Sequence, residues 1–342
     1  MTTLTAFCAA IGIDAAAARE ALAARGVRDD ALWYMQAVLG VGAWITTIAS
    51  LAFAWVVMDL VLGIDEPNEA VAVAGVLVFA ASLWLLHHRP EGAFAAHAAI
   101  AFATAGALMA AAGVGVRADS VWAAALAMLP FAAVAVWQQR SQLLQFLVAS
   151  AALVLVMVAL WDHWDQMVAD LPALFIPVGA ALLLYPPRRD VRPTAYALLI
   201  VPQLFELVIF SFESGSRFWF SWPAKGLLLV VFAALFFVNW RRITDSQARV
   251  LAAVAGMAAA VVAFLLPTGA SAALVVLVVA YTVGSRFLAL LGALAQVYFI
   301  WQFYWDLQET LLIKSIILMA TGAILLICYG LLIGMLRERM RS

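Results

Sequence analysis

The chain has 342 residues, of which 67% are hydrophobic and only 11% are charged, and its formal net charge is -1. An ordinary soluble domain carries about 25% charged residues, so this composition excludes a globular protein with a water-facing surface. The near-zero charge and the scattered arginines also argue against nucleic acid as a partner. The composition predicts that the main partner of the chain is the lipid bilayer.

Residues 1–32 form the only appreciable polar segment, and the stretch GIDAAAAREALAARGV within it predicts a short cytoplasmic helix. No cleavable signal peptide is expected before the first apolar stretch near Trp33, because that stretch is too long for a signal peptide. Cys8 and Cys328 are both expected on the cytoplasmic side, where a structural disulfide is disfavoured.

Residues 33–336 are predicted to form an all-α, polytopic transmembrane helical bundle, and residues 337–342 a basic cytoplasmic tail. A spanning helix needs about 20 mostly apolar residues, and runs of this kind recur along the chain between polar or Pro/Gly breaks. We expect about twelve spans, at residues 34–62, 70–87, 93–115, 120–137, 142–161, 170–185, 194–211, 219–239, 249–267, 270–284, 286–305 and 311–335.

The lysines and arginines, 19 in all, decide the expected orientation. If the N-terminus is cytoplasmic, Arg117 and Arg217 lie in outer loops, Lys225 and Lys314 lie within spans, and all the others lie inside. This bias follows the positive-inside rule and supports an even number of spans with both termini in the cytoplasm.

The stretch from Gly269 to Trp305 can be read as one long span or as two. Its only charge is Arg286, which follows a Gly284-Ser285 break. We predict two spans, because a single span would move the C-terminal arginines to the outer face, against the trend of the other loops.

Glu206 is the most informative charged residue, since it is predicted to lie several residues inside the outer end of its span. Its side chain leans towards the N-terminus of the helix and therefore into the membrane, where a carboxylate needs a partner, a proton or a wet cavity. Gln203 shares its helix face, and Pro202 frees a backbone carbonyl.

Lys225 and Lys314 lie near the outer ends of their spans. Each can extend its ammonium group to the membrane surface, which is the simplest interpretation of both residues. Alternatively, they face Glu206 at the same depth and form ion pairs with it. Asp306 and Glu309 lie in the outer loop just before Lys314 and could join such a polar site.

Catalytic and metal-binding signatures are weak in this sequence. Asp162, His163 and Asp165 form a poor candidate for a divalent cation site, and the tryptophans around them are typical of a membrane interface. We find no G-x-S-x-G, H-E-x-x-H or phosphate-binding glycine motif. The sequence therefore predicts no catalytic residue, metal or cofactor, and a protein that is not an enzyme is favoured.

Two stretches carry a resemblance to a known family: LWYMQAVLGVGAWITTIASLAF near the first span, and YFIWQFYWDLQETLLIKSIILMATGAILL near the last. They resemble a family of bacterial integral membrane proteins known as domain of unknown function number 4401. The resemblance implies a multispanning protein of the bacterial inner membrane and supplies no activity. It places Asp306 and Lys314 within the family pattern.

Three functional hypotheses remain open at this stage. The first is a transporter-like or ligand-binding bundle with a polar site in the outer half of the membrane. The second is a non-catalytic scaffold or a subunit of another membrane complex, in which the same charges are structural ion pairs. The third is a membrane enzyme acting on a lipid or an envelope substrate, although no nucleophile accompanies Glu206 or Asp306.

Overall fold

The computed structural model describes residues 69–88, 93–138, 141–163, 170–184, 191–212, 222–242 and 268–306, most of 38–52, parts of 249–261 and isolated positions between 312 and 323. In these ranges all regular structure is helical, as predicted. Nine helices are delimited: α1 Glu69–His87, α2 Ala93–Arg117, α3 Val121–Gln138, α4 Gln142–His163, α5 Leu171–Leu184, α6 Arg192–Phe212, α7 Trp222–Arg242, α8 Thr268–Val283 and α9 Arg286–Asp306. Each begins and ends within a few residues of a predicted span.

The helices have the length and surface of membrane-spanning segments. Within the described ranges six helices, α1, α2, α3, α4, α7 and α9, are long and apolar enough to cross a bilayer, and α5 and α8 are shorter apolar helices. Large apolar side chains such as Leu77, Trp137 and Tyr281 lie exposed on the outside of these helices. Lipid, unlike water, accommodates such a surface at no cost, so the chain is a membrane protein.

The chain divides into two compact units. The first comprises Met1–Ile64 and Ala81–Phe102, and the second comprises Asp65–Ala80 and Ala103–Ser342. In the first unit, Gly40 lies against the imidazole ring of His97, since a Cβ atom at Gly40 would be 3.5 Å from the ring. His97 therefore packs against a neighbouring backbone.

In the second unit, glycines bring α1 and α2 into close contact. A Cβ atom at Gly75 would overlap the backbone nitrogen of Ala110, and one at Gly106 would lie 2.7 Å from the carbonyl oxygen of Gly75. Only glycine fits at such a crossing, as is common where membrane helices associate through small residues.

Helix α8 lies in the core of the second unit, where it packs against α5, α6, α7 and α9. Its first six residues, from Thr268 to Ala273, are all buried, and so are Val275, Val276, Val279 and Ala280 further along. A helix whose first six residues are buried on every side begins inside a bundle, not at its surface. Its N-terminus must therefore find its hydrogen-bond partners inside the protein.

The predicted break between α8 and α9 is confirmed. Helix α8 ends at Val283, Gly284 adopts a φ of +74°, and α9 begins at Arg286. The hydroxyl group of Ser285 then accepts a hydrogen bond of 3.3 Å from the backbone N–H of Leu288, which caps the new helix. Glycine is suited to this turn because it adopts a left-handed conformation without strain.

Candidate functional site

Glu206 lies in the interior of the second unit. The residue is 2% exposed, although it lies on a helix whose other faces carry exposed Leu204 and Val208. An ionised carboxylate in such surroundings loses its hydration and requires hydrogen bonds from the protein. The side chain therefore does not face lipid.

The N-terminus of α8 supplies the contact. The Glu206 carboxylate accepts a hydrogen bond from the backbone N–H of Gly269, the second residue of α8. The first N–H groups of a helix have no partner within the helix and together carry a partial positive charge. A carboxyl oxygen at this position therefore accepts a hydrogen bond that the helix itself does not use.

A close contact with Phe299 of α9 holds this N-terminus in place. A Cβ atom at Gly269 would lie 2.5 Å from the Phe299 ring, which is itself 1% exposed and packs against Ala270 and Ala273. The ring thus rests on the bare backbone of the first turn of α8. Glycine at 269 allows this packing and leaves the N–H pointing at Glu206.

The carboxylate is only partly satisfied by the contact with Gly269. Its Oε2 atom is buried and has no hydrogen-bond partner among the described residues, and the same holds for Nε2 of Gln203, one turn earlier on α6. Gln203 is 6% exposed. An acceptor and a donor therefore lie near each other on one face of α6, and each has spare hydrogen-bonding capacity.

Gln203 also lines a cavity of about 300 Å³ between α6, α8 and α9, which we call the α6–α9 cavity. Apart from Gln203 and Tyr298, the side chains on its wall are aliphatic: Leu199, Ile200, Leu204, Leu207, Val276, Leu291, Leu294 and Ala295. Ligand sites commonly combine a largely apolar wall with a few polar groups. The cavity therefore has the character of a small-molecule or lipid-chain site.

The other predicted site residues are only partly placed. Lys225 is buried in the first turn of α7, where its Nζ atom lies 5.6 Å from the centroid of the Trp222 ring. Glu206 accepts its hydrogen bond from the backbone of Gly269, and its predicted pairing with Lys225 stays a prediction. Asp306 is the last residue of α9. Lys314 and Glu309 lie outside the described residues.

The first turn of α8 is the part of the site that sequence reasoning missed. The letters PTGAS at 267–271 combine a proline, a threonine and a serine around a glycine, which is a typical signal for a helix start. The break between the predicted spans 249–267 and 270–284 already lay there, but nothing indicated that Glu206 would meet it. Gln302 of α9, also buried with an unpartnered Oε1, was missed as well.

Within the described ranges no group of three His, Cys, Asp or Glu side chains converges as a metal site would require. The donors and acceptors around Glu206 instead suit hydrogen bonding, since they consist of a carboxylate, an amide and backbone N–H groups.

A chain whose apolar helices are long enough to cross a bilayer and enclose a buried carboxylate is an α-helical membrane protein with several membrane spans. Its family follows from a match over residues 32–333 to the family described as Domain of unknown function (DUF4401), so the chain belongs to that family. The resemblance noted from the two ends of the bundle is thus confirmed and extends through the middle of the chain. Neither the curated proteins nor the solved structures include a match.

Proposed function

We propose that this protein is a transporter-like or ligand-binding bundle of the bacterial inner membrane. Its polar site comprises Glu206 and Gln203 of α6 together with the first turn of α8. The single observation that carries the proposal is the pair of buried, unpartnered atoms on one face of α6, Oε2 of Glu206 and Nε2 of Gln203. Gln203 also lines the α6–α9 cavity.

A buried donor and a buried acceptor without hydrogen-bond partners destabilise the folded protein unless a ligand binds to them. Leaving a buried donor or acceptor without a partner costs about 1–3 kcal/mol each. An ionisable residue inside a membrane bundle is therefore by default a candidate functional group. A bound molecule that donates to Glu206 and accepts from Gln203 would remove both costs.

The chemistry of the two atoms limits the ligand. A hydroxyl, an amide or a protonated amine can donate a hydrogen bond to the carboxylate, and a hydroxyl or a carbonyl oxygen can accept one from the amide of Gln203. The aliphatic wall of the α6–α9 cavity suits an apolar body attached to that polar group. We therefore propose a small amphiphile with a hydroxyl or amide group as the ligand class.

The N-terminus of α8 is a second feature that supports a binding site. Transporters with discontinuous helices place helix N-termini at their binding sites, near the middle of the membrane. Here the first turn of α8 likewise meets the polar site, because the backbone N–H of Gly269 donates a hydrogen bond to Glu206.

The wider architecture forms part of the proposal. About twelve spans with both termini in the cytoplasm would place Glu206 in the outer half of the membrane. Lys225, Asp306, Glu309 and Lys314 would then line its outer opening. A membrane-protein partner and an enzymatic role remain alternatives, in which Glu206 serves only to stabilise the bundle or acts as a base.

Two substitutions of Glu206 separate function from stability. Glutamine keeps an oxygen that accepts from Gly269 but removes the charge, whereas alanine removes the acceptor and leaves the buried N–H unpaired, at about 1–3 kcal/mol. We expect Glu206→Gln to retain wild-type abundance and thermal stability in detergent, and Glu206→Ala to lower both.

A second experiment tests function. It compares the lipids and metabolites of cells that lack the protein with those of cells that express the wild type, Glu206→Gln or Gln203→Leu. Gln145→Leu is the matched control, because Gln145 is equally buried on α4, with an unpartnered Oε1, but does not line the α6–α9 cavity. We expect Glu206→Gln and Gln203→Leu to resemble the deletion, and the control to resemble the wild type. A wild-type profile from both site variants at normal abundance would refute the proposal and favour a scaffold.

A further inference from the structure

A second groove opens where α4, α6 and α9 begin, and we call it the rim groove. Its volume is about 590 Å³, and the residues that matter for its chemistry are Gln142, Phe146, Arg192, Tyr196, Ile200 and Phe287. Glu206 is not among the residues that line the rim groove. Of the described residues, only Ile200 lines both the groove and the α6–α9 cavity.

The polar end of the rim groove favours an anion. Arg192 is exposed there and is the first residue of α6, while Gln142 is the first residue of α4 and Phe287 the second of α9. The first turns of three helices, each with a partial positive charge, therefore line the same groove as Arg192. Of the described residues that line the groove, none is acidic. Charge complementarity thus selects a negatively charged group.

The rest of the groove is apolar. Phe146, Ile200 and Phe287 form its wall, and Phe287 is 64% exposed although it is a large aromatic side chain. Because Ile200 also belongs to the wall of the α6–α9 cavity, the apolar surface continues along α6 beyond the groove. An occupant of this surface needs a charged end and a long hydrocarbon part.

Polar contacts at the starts of α4, α6 and α9 also help to hold the groove in shape. The hydroxyl group of Tyr196 lies 3.5 Å from Oγ of Ser285, which caps α9, and Ser141 caps α4 through a 3.2 Å hydrogen bond from the backbone N–H of Leu144. The starts of α6 and α9 are thus linked to each other. A preformed site of this kind binds without the cost of ordering it first.

We propose that the rim groove binds one anionic phospholipid, with its phosphate at Arg192 and its acyl chain along Phe146, Ile200 and Phe287. The groove lies at the membrane face predicted to be cytoplasmic, where anionic lipids attract basic residues and basic pockets between helices bind lipid head groups. The binding does not involve Glu206.

The test is a native mass spectrometry titration of the purified full-length protein with phosphatidylglycerol and with phosphatidylcholine of the same acyl chains. We expect preferential binding of phosphatidylglycerol, and Arg192→Gln should weaken it about fivefold. Arg241→Gln is the matched control. Arg241 is also exposed at the end of a helix and predicted to be cytoplasmic, but it lies against Phe237 and does not line the groove.

A second pair of variants examines the acyl chain. Phe287→Ala should weaken binding of phosphatidylglycerol about threefold or more, because it removes apolar contact area. Leu290→Ala should not, since Leu290 is equally exposed on α9 but lies outside the groove. All four side chains are exposed, so the variants should fold normally.

Equal binding of the two lipids would overturn the proposal. So would an Arg241→Gln effect as large as that of Arg192→Gln, which would indicate general attraction to the surface. Glu206→Gln should retain wild-type lipid affinity, so a failure of the proposed ligand site would leave this result intact.

Discussion

At the scale of single residues, the decisive feature is a carboxylate that meets a helix terminus. Glu206 is buried, and its carboxylate accepts a hydrogen bond from the backbone N–H of Gly269. A lysine that pairs with a carboxylate is lost when the lysine is substituted. A backbone N–H donor at a helix start is retained in most side-chain substitutions. On the α8 side of the contact, a shift of the backbone in the first turn would remove it.

The substitution Gly269→Ala tests whether the contact of Glu206 depends on the backbone position of the first turn of α8. The added methyl group would lie 2.5 Å from the Phe299 ring, so either the ring or the first turn of α8 must shift. Overpacking of this kind costs about 1–3 kcal/mol. We expect a lower midpoint of thermal unfolding in detergent and the same functional loss as in Glu206→Gln.

Gly226→Ala is the matched control for this substitution. Gly226 also lies in a helix, α7, and nothing lies within 4 Å of the position where its Cβ atom would be. Alanine should leave stability unchanged or slightly higher, because glycine is the weaker helix former. Equal destabilisation by both substitutions would show that the Phe299 contact is not what makes Gly269 necessary.

At the scale of helices, α8 is connected to its neighbours by polar as well as apolar contacts. Nδ2 of Asn239 on α7 donates a hydrogen bond of 2.8 Å to Oγ1 of Thr282 on α8, and the Thr282 hydroxyl donates to the carbonyl oxygen of Val278. These contacts lie at the opposite end of α8 from Glu206. The central helix is thus linked to its surroundings by hydrogen bonds near both of its ends.

A double-mutant cycle of Asn239→Ala and Thr282→Val measures this link. Hydrogen bonds between membrane helices contribute about 0.6 kcal/mol on average in such cycles. We expect a coupling free energy of that size in unfolding experiments with mixed micelles. A coupling of zero would mean that Asn239 and Thr282 do not stabilise the packing of α7 against α8.

At the scale of the whole molecule, the positive-inside bias predicts which helix ends lie on each side of the membrane. Arg117, at the end of α2, is predicted outside, and it forms a 2.8 Å ion pair with Glu69, at the start of α1. Both residues of the pair belong to loops or helix ends predicted to be on the outer face. The exposed pair itself adds little to stability.

Cysteine labelling checks this topology. In a background with Cys8→Ser and Cys328→Ser, we expect Ala118→Cys to react with a membrane-impermeant maleimide in intact cells. Arg241→Cys should react only after the membrane is opened, because α7 is predicted to end in the cytoplasm. Reaction of both cysteines in intact cells would contradict the predicted arrangement.

The sequence by itself determined where the helices lie and that they belong in lipid. Each of the nine delimited helices coincides with a local run of apolar residues, and the Gly284-Ser285 break follows from local turn chemistry. The position of Glu206 along its helix could also be predicted from the sequence, because it depends only on the number of residues between Glu206 and the helix end.

The tertiary structure alone decided what Glu206 contacts. Local patterns report how apolar a helix is, but not which helix lies beside it or where that helix begins. The sequence offered Lys225 and Lys314 as possible partners because they were predicted at a similar depth. The contact with the start of α8 comes from the fold. Every residue except proline has a backbone N–H group, so the sequence does not mark which of these groups packing will place against a buried side chain at a helix start.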